Sequence, residues 1–282
     1  MIRKIWNHNH LSVCSVCFKT EQGIRIATST GFKFSKYLIT EEKVLRTKQV
    51  ITDVQLVFFE ADGKTVRKEF VFSYAQFKHF MFKGFNERAL GCLAYRIDDD
   101  EFDKIPSLQI DADRRYQIGT PLMSIGYQSD ENNLALKSGV LSSFLNVKGN
   151  SCMQFEMSMF PSFSGAPIFN AETGKFVGVA GARIAKINES YQRMMDLISA
   201  NLDMLTESEG KVSLNNIDPI QVLKVSQTQI KYLAIEMFKN TPIAFGYALE
   251  AYQLQEQLLK LGSGNIKKVG KGINVEVPNP SN

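Results

Sequence analysis

The stretch FPSFSGAPIF, Phe160 to Phe169, sets Ser164 in a short Ser-Gly-Ala-Pro turn ahead of an apolar segment. A hydroxyl placed this way is a candidate nucleophile for acyl transfer. It needs a neighbouring base to take its proton and N–H donors for the developing oxyanion. The histidines that could serve are His8, His10 and His79. His79 lies in the aromatic run SYAQFKHFMFKGF, and a surface or partly buried imidazole accounts for it. His8 and His10 have no matching Cys, His or Asp cluster, so no metal is assigned and no cofactor is implied. Cys14 and Cys17 are spaced like a redox or zinc pair, but LSVCSVCFK reads as a strand, where residues i and i+3 point to opposite faces. With no second such pair, they read as small buried apolar residues.

Of the 282 residues, 44% are hydrophobic, which suffices for one large domain or two small ones with a substantial core. The formal charge of +4 comes from scattered residues rather than a basic stripe, so no nucleic-acid partner is expected. No run of 18 apolar residues occurs, so no membrane span is expected. The first residues lack a cleavable signal pattern, and a cytoplasmic location is the default expectation. Four cysteines in this length do not make a disulfide framework.

These side chains must be positioned by strands. Short apolar segments with glycine turns fill the first 185 residues, among them the hairpin DVQLVFFEADGKTVRKEFVF turning at Asp62-Gly63. The pattern predicts a mainly β fold. Past Ala185 the period changes. Met194, Leu197, Ile198, Leu202 and Leu205 mark one helix. Asp218 caps a second, begun by Pro219 and lined by Leu223, Ile230, Leu233, Ala234, Met237 and Phe238. TPIAFGYA reads as a strand and LEAYQLQEQLLKL as a third amphipathic helix.

Taken in order, STGFKFSKYLITEEKVL, FEADGKTVRKEFVF, LGCLAYRID, YQIGTPLMSIGYQ, LKSGVLSS, PSFSGAPIFNAETGKFVGV and TPIAFGYALEAYQLQEQLLKL resemble the trypsin-like serine proteases, in particular the Deg/HtrA branch. The resemblance covers about Ser12 to Leu261. It implies two antiparallel six-stranded barrels, the first about 11–105 and the second about 115–185 plus 241–249. Residues 1–185 and 241–262 then form the double-barrel domain, with a helical insertion at 186–240, a C-terminal helix and a flexible tail at 263–282.

The resemblance also implies where catalytic residues should stand. Ser164 takes the nucleophile position. Lys43 stands where the histidine is expected, Gly91 where the aspartate is expected, and Ser162 at the oxyanion-hole position usually held by glycine. Loss of one such triad member costs about four orders of magnitude. Lys43 could act as a base only if its pKa, ordinarily ~10.4, fell by roughly three units. The adjacent Glu41 and Glu42 oppose that fall. Ser164 is therefore expected to be vestigial, with neither an imidazole nor a carboxylate bonded to its hydroxyl.

The expected function is that of a catalytically impaired protease homologue acting as a protein-binding, regulatory or assembly module. The alternative is an active protease or esterase using Ser164 with a non-standard base such as Lys43. The insertion is the expected contact for a protein partner or a second copy of the chain. Its two helices should hide one apolar stripe each against one another, leaving Met194, Met195, Met237 and Phe238 as candidate partner-binding residues.

Overall fold

The computed structural model describes residues 1–41, 50–82, 92–129, 131–147, 150–181, 185–211, 218–240, 243–263, 268–269 and 272–273. The chain opens on helix α1 (Ile2–Asn9), which the sequence reading did not foresee. Its one buried apolar side chain is Ile5, while Trp6 Nε1 donates to the Ala61 carbonyl and Asn9 Nδ2 to that of Gly174. The helix thus ties the two halves of the molecule together. His10 is buried just after it and stacks on Trp6, with Nδ1 2.8 Å from the Trp6 carbonyl oxygen. That is a structural role, and among the described residues no group of side chains could hold a metal ion.

Seven strands make the first sheet: β1 (Val13–Lys19), β2 (Arg25–Phe34), β3 (Tyr37–Glu41), β4 (Asp53–Phe59), β5 (Val66–Ser73), β6 (Met81–Phe82) and β7 (Cys92–Tyr95). Their order is β5-β4-β1-β2-β3-β7-β6, and every pairing is antiparallel. Helix α2 (Tyr74–His79) connects β5 to β6, and α3 (Asp100–Asp103) follows β7. The expectation for this half was six strands; the short β6 adds a seventh at the β7 edge. Cys14 and Cys17 are free thiols, both buried in β1 as the strand reading expected, and burial pushes the Cys14 thiol far up. Phe77 of the aromatic run is fully buried and stacks on Tyr95, as the core reading expected.

The turn between β4 and β5 is held by one carboxylate. Asp62 accepts from the Thr65 hydroxyl at 2.6 Å and from the N–H groups of Lys64 and Thr65 at 2.9 and 2.8 Å. These bonds, the hydroxyl foremost, lower its pKa to about 2. The folded value lies below the ordinary ~3.9 of an unfolded chain. Its contribution is therefore present above pH ~4 and lost as pH falls through about 2. Asp62→Asn should flatten the fall in unfolding midpoint between pH ~4 and ~2, and thermal melts across that window check it.

The second half is a closed antiparallel barrel of β8 (Pro121–Gln128), β9 (Asn133–Val147), β10 (Asn150–Met159), β11 (Pro167–Asn170), β12 (Phe176–Ala180) and β13 (Ile243–Glu250), in the order β10-β13-β12-β11-β8-β9. Between β12 and β13 come α4 (Ala185–Ser208) and α5 (Pro219–Asn240); α6 (Ala251–Ser263) follows β13 and buries Ala251, Leu254 and Leu258. In the tail, Lys268–Val269 pairs with Gly272–Ile273. One apolar cluster runs through both halves. Phe32 and Phe34 of β2 meet Phe176 of β12 at 5.1 and 5.5 Å, and Phe59 of β4 stacks on Tyr127 of β8. This shared core fixes one sheet against the other, as a site built from both requires.

Candidate functional site

Phe160 to Ala166 link β10 to β11 through a single 3-10 turn, Pro161–Phe163, with Pro161 at its start. The fixed φ of proline suits that first position. Phe163 is fully buried, and its N–H donates to the Phe160 carbonyl at 3.0 Å. The N–H of Ser164 donates to the Pro161 carbonyl at 3.1 Å.

The first sheet holds this turn from the other side. The N–H of Thr30, on β2, donates to the Ser164 carbonyl at 3.1 Å, and its hydroxyl donates to the Ser162 carbonyl at 2.7 Å. The same hydroxyl accepts from the Tyr127 N–H at 2.9 Å, joining β2, β8 and the turn at one buried atom. Thr40 of β3 donates from Oγ1 to the Thr30 carbonyl at 2.8 Å. Gly165 has φ +85°, and its N–H donates to the Ala180 carbonyl. Ser164 is thus delivered to the junction of the halves by a closely bonded backbone.

The hydroxyl of Ser164 donates to Glu41 Oε2. Glu41 ends β3 and is 7% exposed. This corrects the expectation that no carboxylate reaches Ser164. The physical reason is the strand's length: β3 runs as far as residue 41, so its last side chain stands under the turn. In the sequence Glu41 reads as a neighbour of Lys43 and not as a partner of the serine. The available signal was its place two residues before the expected histidine, at the end of a strand leading into the cleft.

Ser162 is buried, and its Oγ accepts from the Ser129 N–H at 3.3 Å. The structure therefore brings Ser164 and Ser162 together with Glu41 and Thr30. Lys43 and Gly91 lie outside the described residues. Neither His8, His10 nor His79 bonds to Ser164. Met194 and Met195 are on α4, the first exposed and the second half-buried. Met237 is exposed on α5, and Phe238 belongs to the same helix, its side chain outside the described residues.

An acyl-transfer site needs a free N–H aimed at the future oxyanion. The nucleophile's own N–H is one of the two customary donors. Here that N–H is consumed inside the 3-10 turn. The hydroxyl is likewise engaged, by the Glu41 carboxylate. Both the N–H and the hydroxyl of Ser164 are thus engaged in this arrangement.

Residues 23–179 match a family model described as a trypsin-like peptidase domain. No curated protein matches the chain. Among solved structures, the chain is similar to the inactive form of Rv3671c from M. tuberculosis H37Rv carrying a serine-to-alanine mutation. Identity is 12%, coverage is 95% of this chain and 94% of that one, and the TM-score is 0.54. It is similar to the serine endoprotease from Yersinia pestis at 12% identity, with 94% and 68% coverage and a TM-score of 0.55. The active form of the Rv3671c protease gives 12% identity, 96% and 88% coverage and a TM-score of 0.51. At these identities the likeness to solved structures is one of fold, and it extends to active and inactive forms alike.

Proposed function

The chain belongs to the trypsin-like peptidase domain family, and from that premise we propose that it is a catalytically impaired member working as a protein-binding, regulatory or assembly module. The observation that carries this reading is the closed turn at the nucleophile position. The N–H of Ser164, a customary oxyanion donor, is spent on the Pro161 carbonyl. Replacement of the expected histidine and aspartate by Lys43 and Gly91 supports the same reading. So does the insertion between β12 and β13, where two helices of 24 and 22 residues provide a surface of their own. No helix among the described residues is long and apolar enough to cross a membrane.

The Ser164–Glu41 bond favours a second reading, an active hydrolase in which Glu41 takes the serine proton. Lys43 is the other base proposed for it. Either version requires the 3-10 turn to open, so that the Ser164 N–H can reach an oxyanion.

A fluorophosphonate probe separates the two. The impaired module is expected to give no adduct at Ser164 after prolonged exposure at pH 7–8, by intact-protein mass spectrometry. An adduct that disappears in Ser164→Ala overturns the impaired reading. If Glu41→Gln also abolishes that adduct, Glu41 is the base.

A further inference from the structure

Helices α4 and α5 form an antiparallel hairpin whose apolar residues do not all point inward. Lys231 Nζ donates to Ser199 Oγ at 3.3 Å, and Lys224 pairs with Glu209 at 2.7 Å, so the helices run in opposite directions side by side. Toward α5, α4 turns Met195, Leu202 and Leu205, all half-buried, and Ile198, which is buried. Toward α4, α5 turns Lys224, Gln227, Thr228 and Lys231. Its apolar residues Leu223, Ile230 and Leu233 are exposed, Leu233 at 61%. This corrects the expectation that pairing would hide the apolar stripe of both helices. The inward side of α5 is instead mixed: half-buried Ile220, Ala234 and Ile235 share it with Lys224 and Lys231, whose amines find carboxylate and hydroxyl partners on α4.

Val222, Val225 and Tyr232 of α5 are exposed singly, but the other exposed residues are regularly spaced. On α4, Met194, Leu197, Asn201 and Met204 follow steps of three, four and three, and all are exposed. On α5, Leu223, Ser226, Ile230, Leu233 and Met237 follow three, four, three and four, and all are exposed. These are the steps of a coiled-coil seam. Each stripe sits one residue before its helix's inward stripe, about 100° around the axis. In antiparallel helices, equal offsets bring both stripes to the same side of the hairpin. The hairpin therefore carries, on one side, two parallel seams that are apolar apart from Asn201 and Ser226.

We propose that this face is covered by a second copy of the same face, two hairpins packing into a four-helix bundle. The inference rests on the binding-module reading and names its partner. Three features select a second copy. Two helices of nearly equal length, each with a seam, make a self-complementary surface of the kind a two-fold dimer needs. The exposed apolar side chains of the two seams offer on the order of 600 Å² per copy, so that a pair reaches the roughly 1,200 Å² of a stable specific interface. The charge pattern is wrong for a lipid surface. Across α4 four acidic residues face two basic ones, and α5 has three lysines against one glutamate. A membrane-surface helix carries a basic excess, and α4 carries the reverse.

Sedimentation equilibrium of the full chain between ~1 and ~100 µM tests this, with fluorophosphonate labelling on the same samples. The expected result is twice the 31.8 kDa chain mass, with the Kd raised at least ~100-fold in Ile230→Asp/Leu233→Asp. Because that variant could unfold the hairpin, its helicity is read by circular dichroism. A second variant replaces residues 188–239 by a short Gly-Ser bridge, which should leave a folded, monomeric barrel domain. A monomeric full chain at ~100 µM overturns the proposal. So does a dimer that survives either variant, or co-flotation of monomers with phosphatidylcholine–phosphatidylserine vesicles. A monomer without a fluorophosphonate adduct refutes the second copy and leaves the impaired reading standing. An adduct refutes the impaired reading whatever the mass.

Discussion

Gly165→Ala is expected to lower the midpoint of thermal unfolding by roughly 10 °C, from a loss of about 3–5 kcal/mol at ~2–4 °C each. Two costs add. The first is conformational, since φ is +85° and a side chain is disfavoured there. The second is steric. A methyl group at this position would lie 2.4 Å from the Thr30 carbonyl oxygen, 2.9 Å from the Glu41 nitrogen and 3.2 Å from the Thr40 Cα. All three are backbone atoms of β2 and β3, so no side chain can swing aside. The same strands hold the Ser164 carbonyl and the Glu41 carboxylate, and relief of the clash must disturb the site. Gly119→Ala supplies the control. Its φ is +93° with nothing within 4 Å of a new Cβ, so it should show the conformational cost alone, about 1–2 kcal/mol. Calorimetric midpoints for the two variants check this. Equal shifts would mean that the turn is not clamped against the first sheet.

Phe163→Ala should cost about 3–5 kcal/mol, the usual range for removing a buried aromatic ring. The ring is fully buried in the second barrel. It lies where β8 has Gly126, at which a Cβ would come within 2.2 Å of Phe163 Cδ1. Gly126 is therefore the seat of the ring, and Gly126→Ala is destabilising in its own right because it must push the ring out. In the double variant the collision is gone. Its loss should fall short of the sum of the two single losses by at least ~1 kcal/mol, the coupling expected of residues in direct contact. Urea unfolding with an unchanged slope measures all three. Strict additivity would show that the ring does not rest on Gly126, and that the 3-10 turn is held by its hydrogen bonds alone.

Much of the architecture was legible because it is written locally. Alternating apolar residues and the Asp62-Gly63 turn marked the β4–β5 hairpin; the change of period at Ala185 and the pair Asp218-Pro219 marked the two helices. In the structure, Asp218 Oδ1 accepts from the Ile220 N–H at 2.8 Å, as a cap should. Helix α1 is not legible in the sequence because its face is mostly polar; it is held by Ile5 in the shared core and by bonds from Trp6 and Asn9 to residues 55 and 165 positions away.

Two residues at the site, Ser164 and Ser162, were also nameable from sequence order alone. What those residues do depends on contacts between distant segments. Glu41 and Ser164 are 123 residues apart, and their bond exists because the shared core sets β3 beneath the β10–β11 connection. A sequence states that a carboxylate is present, but not that its strand ends under a serine. The closure of the turn has the same character, being the outcome of Thr30 bonding from β2 and Phe163 sinking into the second barrel. The outward face of α5 is likewise a tertiary result. Helical spacing showed that α5 has an apolar side, while the pairing of Lys224 and Lys231 with α4 decided which side it turns to its neighbour. Periodicity reports that a face exists; which partner it meets is decided by competition among contacts that only the folded chain brings within reach.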